Sequence, residues 1–147
     1  MPPGALLAED HPLVRKRLKA LLERDGIAVL GEAADGQEAL RLTQALRPEM
    51  VVLDLEMPVL NGLEVVRLLQ RSLPEIKCVL LTMHAEAAYV VEALEAGVRA
   101  YVLKSQAAND LVAAIRRAEA GGVFVSPRIS GVTTSADPAG PKGTLSL

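Results

Sequence analysis

Five side chains capable of chemistry each stand directly behind a short apolar run. They are three carboxylates, one hydroxyl and one ammonium: Glu9, Asp10, Asp54, Thr82 and Lys104. Crowded carboxylates repel one another unless a cation relieves them, and hard oxygen ligands suit Mg²⁺. A carboxylate at such a site can attack a phosphoryl group whose oxygens are neutralised by the metal, an ammonium and a hydroxyl. The pattern therefore indicates Mg²⁺-dependent phosphoryl chemistry centred on Asp54, if the fold brings the five groups together.

The elements that must position these groups alternate regularly along the chain. Short apolar runs of strand length cover residues 5–8, 27–30, 50–53, 78–81 and 100–103. The segments between them have helical spacing, so the count is five strands alternating with five helices. Strands that are apolar on both faces predict a parallel α/β sheet covered by helices on both sides. Such sheets bind ligands at the carboxyl ends of their strands, which is where the five groups stand.

Local signals set the expected helix limits. A stripe of apolar residues after Pro12 ends at Gly26, and Asp35 with Gly36 opens a helix through Leu46. The remaining helices are expected from Asn61 to before Pro74, from about 86 to 96, and from about 107 to 120.

Composition limits the classes of protein to which the chain can belong. A length of 147 residues suits one domain with a short appendage, and half of the residues are hydrophobic. A net charge of −2 and a pI near 5.7 make direct DNA binding an unfavourable interpretation. The single cysteine, Cys78, allows no internal disulfide and favours a core role. With no signal-peptide core and no membrane-length apolar stretch, we expect a cytoplasmic protein.

The residues from Ser126 onward differ in composition from the rest of the chain. The segment "SPRISGVTTSADPAGPKGTLSL" is rich in Ser, Thr, Gly and Pro and has no amphipathic period. We therefore expect a domain over residues 4–125 and a flexible linker or tail over 126–147.

Four stretches resemble the receiver domain of two-component response regulators: "LLAEDHPLVRKRL", "VVLDLEMPVLNGLEVV", "CVLLTMHAE" and "GVRAYVLKS". The sequence around His84 and Lys104 is similar to the NarL/FixJ branch, which carries a LuxR-type DNA-binding output domain. The resemblance covers residues from about 4 to 125. It implies a flavodoxin-like, doubly wound, five-stranded parallel sheet of order 2-1-3-4-5 with five helices.

The resemblance also implies a role for each site residue. Asp54 would accept a phosphoryl group from a sensor histidine kinase. Asp10 would bind Mg²⁺ directly, Glu9 mainly through water, and the carbonyl of Glu56 would complete the protein ligands. Thr82 and Lys104 would hold phosphoryl oxygens, and Tyr101 would be an aromatic switch, although a core-filling role for Tyr101 is equally compatible with the sequence. The domain would then be a phosphorylation switch that controls transcription and turns over no external substrate.

Three features depart from the commonest pattern of that family. Glu9 stands in place of an Asp, and Ser105 stands where many receivers have Pro after the Lys, so the sequence does not decide whether the Lys104–Ser105 peptide is cis. The chain also ends where the branch would begin its helix-turn-helix. We expect either an excised receiver or a natural protein without that effector, with DNA contacted only through an output domain outside this chain.

Other functions and partners remain open at this point. A phosphorylation-independent pseudoreceiver would keep the fold, but such domains typically lose one of the active residues. An aspartate-nucleophile phosphatase usually has a second Asp two positions after the nucleophile, where this chain has Glu56. A flavodoxin-like cofactor carrier would need a hydroxyl-rich loop in place of Glu9 and Asp10. Kinase docking is expected near the first helix, and a homodimer through the fourth or fifth helix is plausible.

Overall fold

A parallel sheet forms the centre of the molecule. The computed structural model describes residues 4–127 and 129 of the chain. The strands are β1 (Gly4–Ala8), β2 (Ala28–Ala33), β3 (Met50–Asp54), β4 (Lys77–Thr82), β5 (Ala100–Leu103) and β6 (Phe124–Val125). They lie in the order β2-β1-β3-β4-β5-β6, and all pairings are parallel. The predicted order of the first five strands is confirmed, and a short sixth strand extends the sheet beside β5.

Four helices connect the first five strands, and a fifth helix follows β5. They are α1 (Pro12–Arg24), α2 (Gly36–Leu46), α3 (Gly62–Ser72), α4 (Ala87–Ala96) and α5 (Ala107–Glu119). Their limits agree closely with the sequence signals, and the predicted caps form at the starts of α2 and α3. The Asp35 side chain accepts from the Glu38 amide at 2.8 Å, and Asn61 forms a reciprocal capping box with Glu64.

The core consists of two layers, one on each face of the sheet. One layer packs residues of α1 and α5, such as Leu22 and Ile115, against Leu7 of β1. The other packs residues of the helices on the opposite face, such as Val66 of α3, against Leu6 of β1. Consecutive residues of β1 therefore enter opposite layers, which explains why the central strands are apolar at every position.

Cys78 belongs to the second of these layers. Its side chain is buried, and burial raises the pKa of the thiol to about 12. The predicted role of Cys78 as a small core residue is confirmed.

The structure differs from the sequence prediction at the two edges of the sheet. The edge strand β2 runs to Ala33, beyond the predicted 27–30, through a glycine and a glutamate that weaken the strand signal. At the other edge β6 follows α5, and Ser126 is buried beside it. The Ser126 hydroxyl donates to Asp110 Oδ2 and accepts from the Leu103 amide, both at 3.0 Å.

The predicted flexible tail at 126–147 lies largely outside the described residues. Of its described residues, Ser126 and Ile129 are both buried against the domain. Within the described part of the chain, every helix is too short or too polar to cross a bilayer.

Candidate functional site

The sheet brings the five predicted site residues to one rim. Asp54 and Thr82 are the last residues of β3 and β4, Lys104 follows β5, and Glu9 and Asp10 follow β1. Parallel strands end at the same edge, so residues far apart in the sequence meet there. Glu9, Asp54 and Thr82 are all buried.

Lys104 lies between two buried carboxylates. Its Nζ is 3.1 Å from Glu9 Oε1 and 3.0 Å from Asp54 Oδ2. The Glu9 side chain is fully buried and that of Asp54 is 4% exposed, so one ammonium faces two charges that have lost most of their water. The rim therefore carries an excess of negative charge that one further cation would relieve.

The protonation of Asp54 and Lys104 reflects this crowding. Burial raises the pKa of Asp54 to about 6; the Lys104 hydrogen bond opposes this rise, and the charge of Glu9 adds to it. Burial works to lower the pKa of Lys104, but its interactions with the carboxylates of Asp54 and Glu9 outweigh burial and raise that pKa above its usual value.

Glu9 and Asp10 provide donors suited to a hard cation. Glu9 Oε1, although paired in charge with Lys104, lacks a well-aligned hydrogen bond within the described residues. One ligand atom each from Glu9, Asp10 and His11 lies within 4.8 Å of the others. A buried carboxylate oxygen whose partner in the described part of the chain is the Lys104 ammonium alone, beside a half-buried Asp10, fits Mg²⁺, which takes oxygen ligands and retains water.

A cleft of about 710 Å³ opens beside Asp10 at the edge of the rim. Asp10, Glu56 and His84 are among the residues that line it. The Glu56 amide donates to Asp54 Oδ1 at 3.3 Å, which turns the loop after β3 back toward Asp54. The predicted ligand Glu56 is thus placed next to Asp54 and at the wall of the same cleft as Asp10.

Close packing explains the glycine that opens α3. A Cβ atom on Gly62 would lie 2.5 Å from the carbonyl oxygen of Asp54. The Gly62 amide donates to the Leu55 carbonyl at 2.8 Å. The Asn-Gly pair after β3 therefore caps α3 and lets that helix approach the strand end that carries Asp54.

Thr82 and Tyr101 are connected through the loop after β4. The Thr82 hydroxyl accepts from the His84 amide at 3.0 Å, and the Tyr101 hydroxyl donates to the His84 carbonyl at 2.8 Å. Tyr101 is 1% exposed, so its ring already points inward, and burial raises its pKa to about 12. The peptide between Lys104 and Ser105 is trans, which the sequence alone did not decide.

One arrangement beside the site was not foreseen from the sequence. The His84 ring stacks on Tyr89 with centroids 4.2 Å apart, and His84 Nε2 lies 3.2 Å from Glu56 Oε2. Tyr89 lies on α4 and is partly exposed, so the helical pattern gave no reason to select it.

Mg²⁺ is expected to stabilise the wild-type protein against heat. A cation that binds only the folded state at 100 times its dissociation constant adds about 2.7 kcal/mol to the free energy of unfolding. The Asp10→Asn variant should lose most of this gain, because it removes a carboxylate charge from the ligand set. Differential scanning fluorimetry with increasing MgCl₂ measures the effect.

The control for this experiment is Glu95→Gln, which removes a carboxylate from α4, away from the rim. It should respond to Mg²⁺ as the wild type does. Equal Mg²⁺ responses in the wild type and the Asp10→Asn variant would contradict the proposed ligand.

Comparisons with known proteins agree with this geometry. Residues 5–116 match the family model described as the response regulator receiver domain. The response regulator GacA of Pseudomonas protegens is 39% identical over 126 residues, which are 85% of this chain and 59% of that protein. The chain thus spans less than two thirds of the length of this curated relative.

Solved structures show the same likeness. A LuxR-family two-component response regulator from Aurantimonas sp. superposes with a TM-score of 0.84 at 38% identity, over 88% of this chain and 94% of that one. The isolated receiver domain of RcsB from Salmonella enterica, determined in the presence of the phosphomimetic BeF₃⁻, gives 0.80 at 25% identity, over 88% and 97%. With the family model matching most of the chain, and with the acidic pair, Asp54, Thr82 and Lys104 gathered at one rim, this chain belongs to the response regulator receiver domain family.

Proposed function

We propose that this chain is the phosphoacceptor domain of a two-component response regulator and that Asp54 receives the phosphoryl group. The observation that carries the proposal is the Lys104 ammonium, held within 3.1 Å of both Glu9 and Asp54 at the rim. A structural ion pair needs one carboxylate, whereas this arrangement keeps two and leaves an oxygen of Glu9 without a well-aligned hydrogen bond among the described residues.

The donor of the phosphoryl group is a phosphohistidine of a sensor histidine kinase. An oxygen of Asp54 forms a bond to phosphorus while the bond from phosphorus to the histidine nitrogen breaks, and the electron pair stays on that nitrogen. Asp10, Asp54, the Glu56 carbonyl and, through water, Glu9 would hold Mg²⁺, which would supply positive charge to the phosphoryl oxygens.

Lys104 and Thr82 have separate roles in this transfer. Lys104 Nζ moves from Asp54 Oδ2 to a phosphoryl oxygen and neutralises the charge that arrives with the group. The Thr82 hydroxyl, which accepts a hydrogen bond from the His84 amide, donates a hydrogen bond to a second phosphoryl oxygen.

The response to phosphorylation spreads through the loop after β4. Movement of Thr82 toward the phosphoryl group shifts the His84 backbone, to which Tyr101 is bonded at 2.8 Å. Tyr101 is buried in this inward position, and phosphorylation increases the population of the inward conformation. The altered surface of α4 and β5 then contacts a second copy of the domain in a homodimer, or a DNA-binding output domain. The protein acts in the cytoplasm.

Incubation with acetyl phosphate, with and without Mg²⁺, tests this function. We expect Mg²⁺-dependent incorporation of one phosphoryl group for each protein molecule, followed by slow loss as the domain hydrolyses its own acyl phosphate. A pseudoreceiver would take up no label. A phosphatase would instead hydrolyse a phosphomonoester such as p-nitrophenyl phosphate continuously, and either result would contradict the proposal.

A further inference from the structure

Arg15 connects α1 to the end of β1 through a contact with the backbone. Its Nη1 donates to the carbonyl oxygen of Glu9 at 2.7 Å, at the short end of the range for such hydrogen bonds. Its Nε donates to Glu32 Oε1 on β2 at 3.2 Å. One guanidinium thus fixes the carbonyl that lies between two predicted metal ligands and is itself held by a carboxylate on the neighbouring strand.

The Glu9 carbonyl, which accepts this hydrogen bond, lies in the peptide group that joins Glu9 to Asp10. It shares a rigid peptide plane with the nitrogen and Cα of Asp10, so holding this carbonyl also holds the point from which the Asp10 side chain leaves the backbone. The Glu9 amide is held from the other side, because it donates to the Ala33 carbonyl at 3.0 Å. The residue that contributes the buried carboxylate is therefore fixed at both its amide and its carbonyl.

Burial and hydrogen-bond partners distinguish Arg15 from Lys19, the other cation of α1 that pairs with Glu32. The Arg15 side chain is 22% exposed, whereas Lys19, which pairs with the same Glu32 at 3.2 Å, is 39% exposed. The two cations share a partner and a helix, but of the two only Arg15 reaches the Glu9 carbonyl. The forked guanidinium suits this geometry, since two separate nitrogens, Nε and Nη1, reach acceptors on β2 and directly after β1.

We propose that Arg15 is a positioning residue for the divalent cation: by holding the Glu9 carbonyl it orients Glu9 and Asp10 for Mg²⁺. This inference rests on the proposed function, because it assumes that Glu9 and Asp10 bind the metal. Partners that orient metal ligands typically change affinity by about 10- to 100-fold when removed.

Mg²⁺ titration of ¹⁵N-labelled protein, followed through the backbone amide shifts of residues 9–11, measures the affinity directly. The Arg15→Met variant keeps the apolar stem and is expected to weaken Mg²⁺ binding by about 10-fold. Lys19→Met, the matched control, is expected to bind Mg²⁺ as the wild type does. Arg15→Lys should fall between Arg15→Met and wild type, because it keeps the positive charge but offers one nitrogen in place of the two that contact Glu9 and Glu32.

A second measurement separates positioning from a general loss of structure. In acetyl phosphate labelling, Arg15→Met should need about 10-fold more Mg²⁺ for half-maximal rate but reach the wild-type rate at saturating Mg²⁺. Wild-type Mg²⁺ affinity in Arg15→Met, or in Arg15→Lys if Arg15→Met does not fold, would overturn the role of Arg15 alone. Failure of the wild type to bind Mg²⁺ would overturn the proposed metal site as well.

Discussion

Replacing Asp54 with asparagine is expected to abolish phosphoryl uptake from acetyl phosphate. The amide oxygen of asparagine carries no negative charge and is a poor nucleophile, and its nitrogen cannot accept a bond from Lys104. Removal of a nucleophile from a site of this kind lowers the rate by at least about 1,000-fold. Phosphate-affinity electrophoresis or intact-protein mass spectrometry measures the loss.

The same substitution is expected to stabilise the metal-free protein. The folded-state pKa of Asp54 is raised from 3.8 to about 6. At neutral pH the carboxyl is ionised in both states, but its ionisation is less favourable in the folded state, so the charge lowers the free energy of unfolding. Because a pKa difference of one between the folded and unfolded states corresponds to about 1.4 kcal/mol, Asp54→Asn should gain about 1–3 kcal/mol in urea denaturation near neutral pH. The gain should shrink as the pH falls through about 6 toward 3.8, because the wild-type carboxyl then becomes protonated.

Glu56→Gln is the control for both measurements. It changes an exposed carboxylate two positions away whose backbone, not its side chain, is the predicted ligand. It should still be phosphorylated, without the stability gain of Asp54→Asn. An Asp54→Asn variant that still accepts label, or one that is less stable than the wild type at neutral pH without metal, would contradict this account.

Replacing Lys104 with methionine should produce the largest loss of stability. The substitution leaves the buried carboxylates of Glu9 and Asp54 without the ammonium that lies within 3.1 Å of both. Breaking a buried ion pair by removal of one partner costs about 3–5 kcal/mol. Urea denaturation without Mg²⁺ measures this cost. Phosphoryl uptake should also fall by about 100-fold or more, because a positive charge directed at the phosphoryl oxygens is lost.

Two comparisons test the cause of this loss. Lys77→Met, at the opposite end of β4, removes a lysine without touching the rim and should change stability little. The double variant Lys104→Met with Asp54→Asn should recover more stability than Asp54→Asn gains by itself, because Asp54 has then lost the ammonium that offsets its burial. If the two effects simply add, the proposed coupling between Lys104 and Asp54 is wrong.

The sequence predicted those parts of the fold that depend on local chemistry. Asp35 and Asn61 marked helix starts because their side chains accept from the helical amides, and this holds wherever such caps occur. Asp54 and Thr82 could be assigned to one rim because a parallel sheet places all carboxyl ends at one edge. The placement of Lys104 followed from the same rule.

The remaining features depend on contacts between distant residues. Strand β6 has two residues and is defined by its pairing with β5, which no local pattern encodes. The inward position of Tyr101 depends on the His84 carbonyl, and the contact of Arg15 with Glu9 depends on how α1 lies against β1 and β2. Tertiary packing decides such contacts, so the sequence allowed several alternatives at each position.

Location of the acyl phosphate tests the central claim most directly. Protein treated with acetyl phosphate and Mg²⁺ can be reduced with tritiated borohydride, which converts an aspartyl phosphate to homoserine, and then digested and mapped. We expect tritium in the peptide that contains Asp54, and only when Mg²⁺ was present during phosphorylation. Label that appears equally without Mg²⁺, or that maps to Glu9 or Asp10 in place of Asp54, would contradict the account.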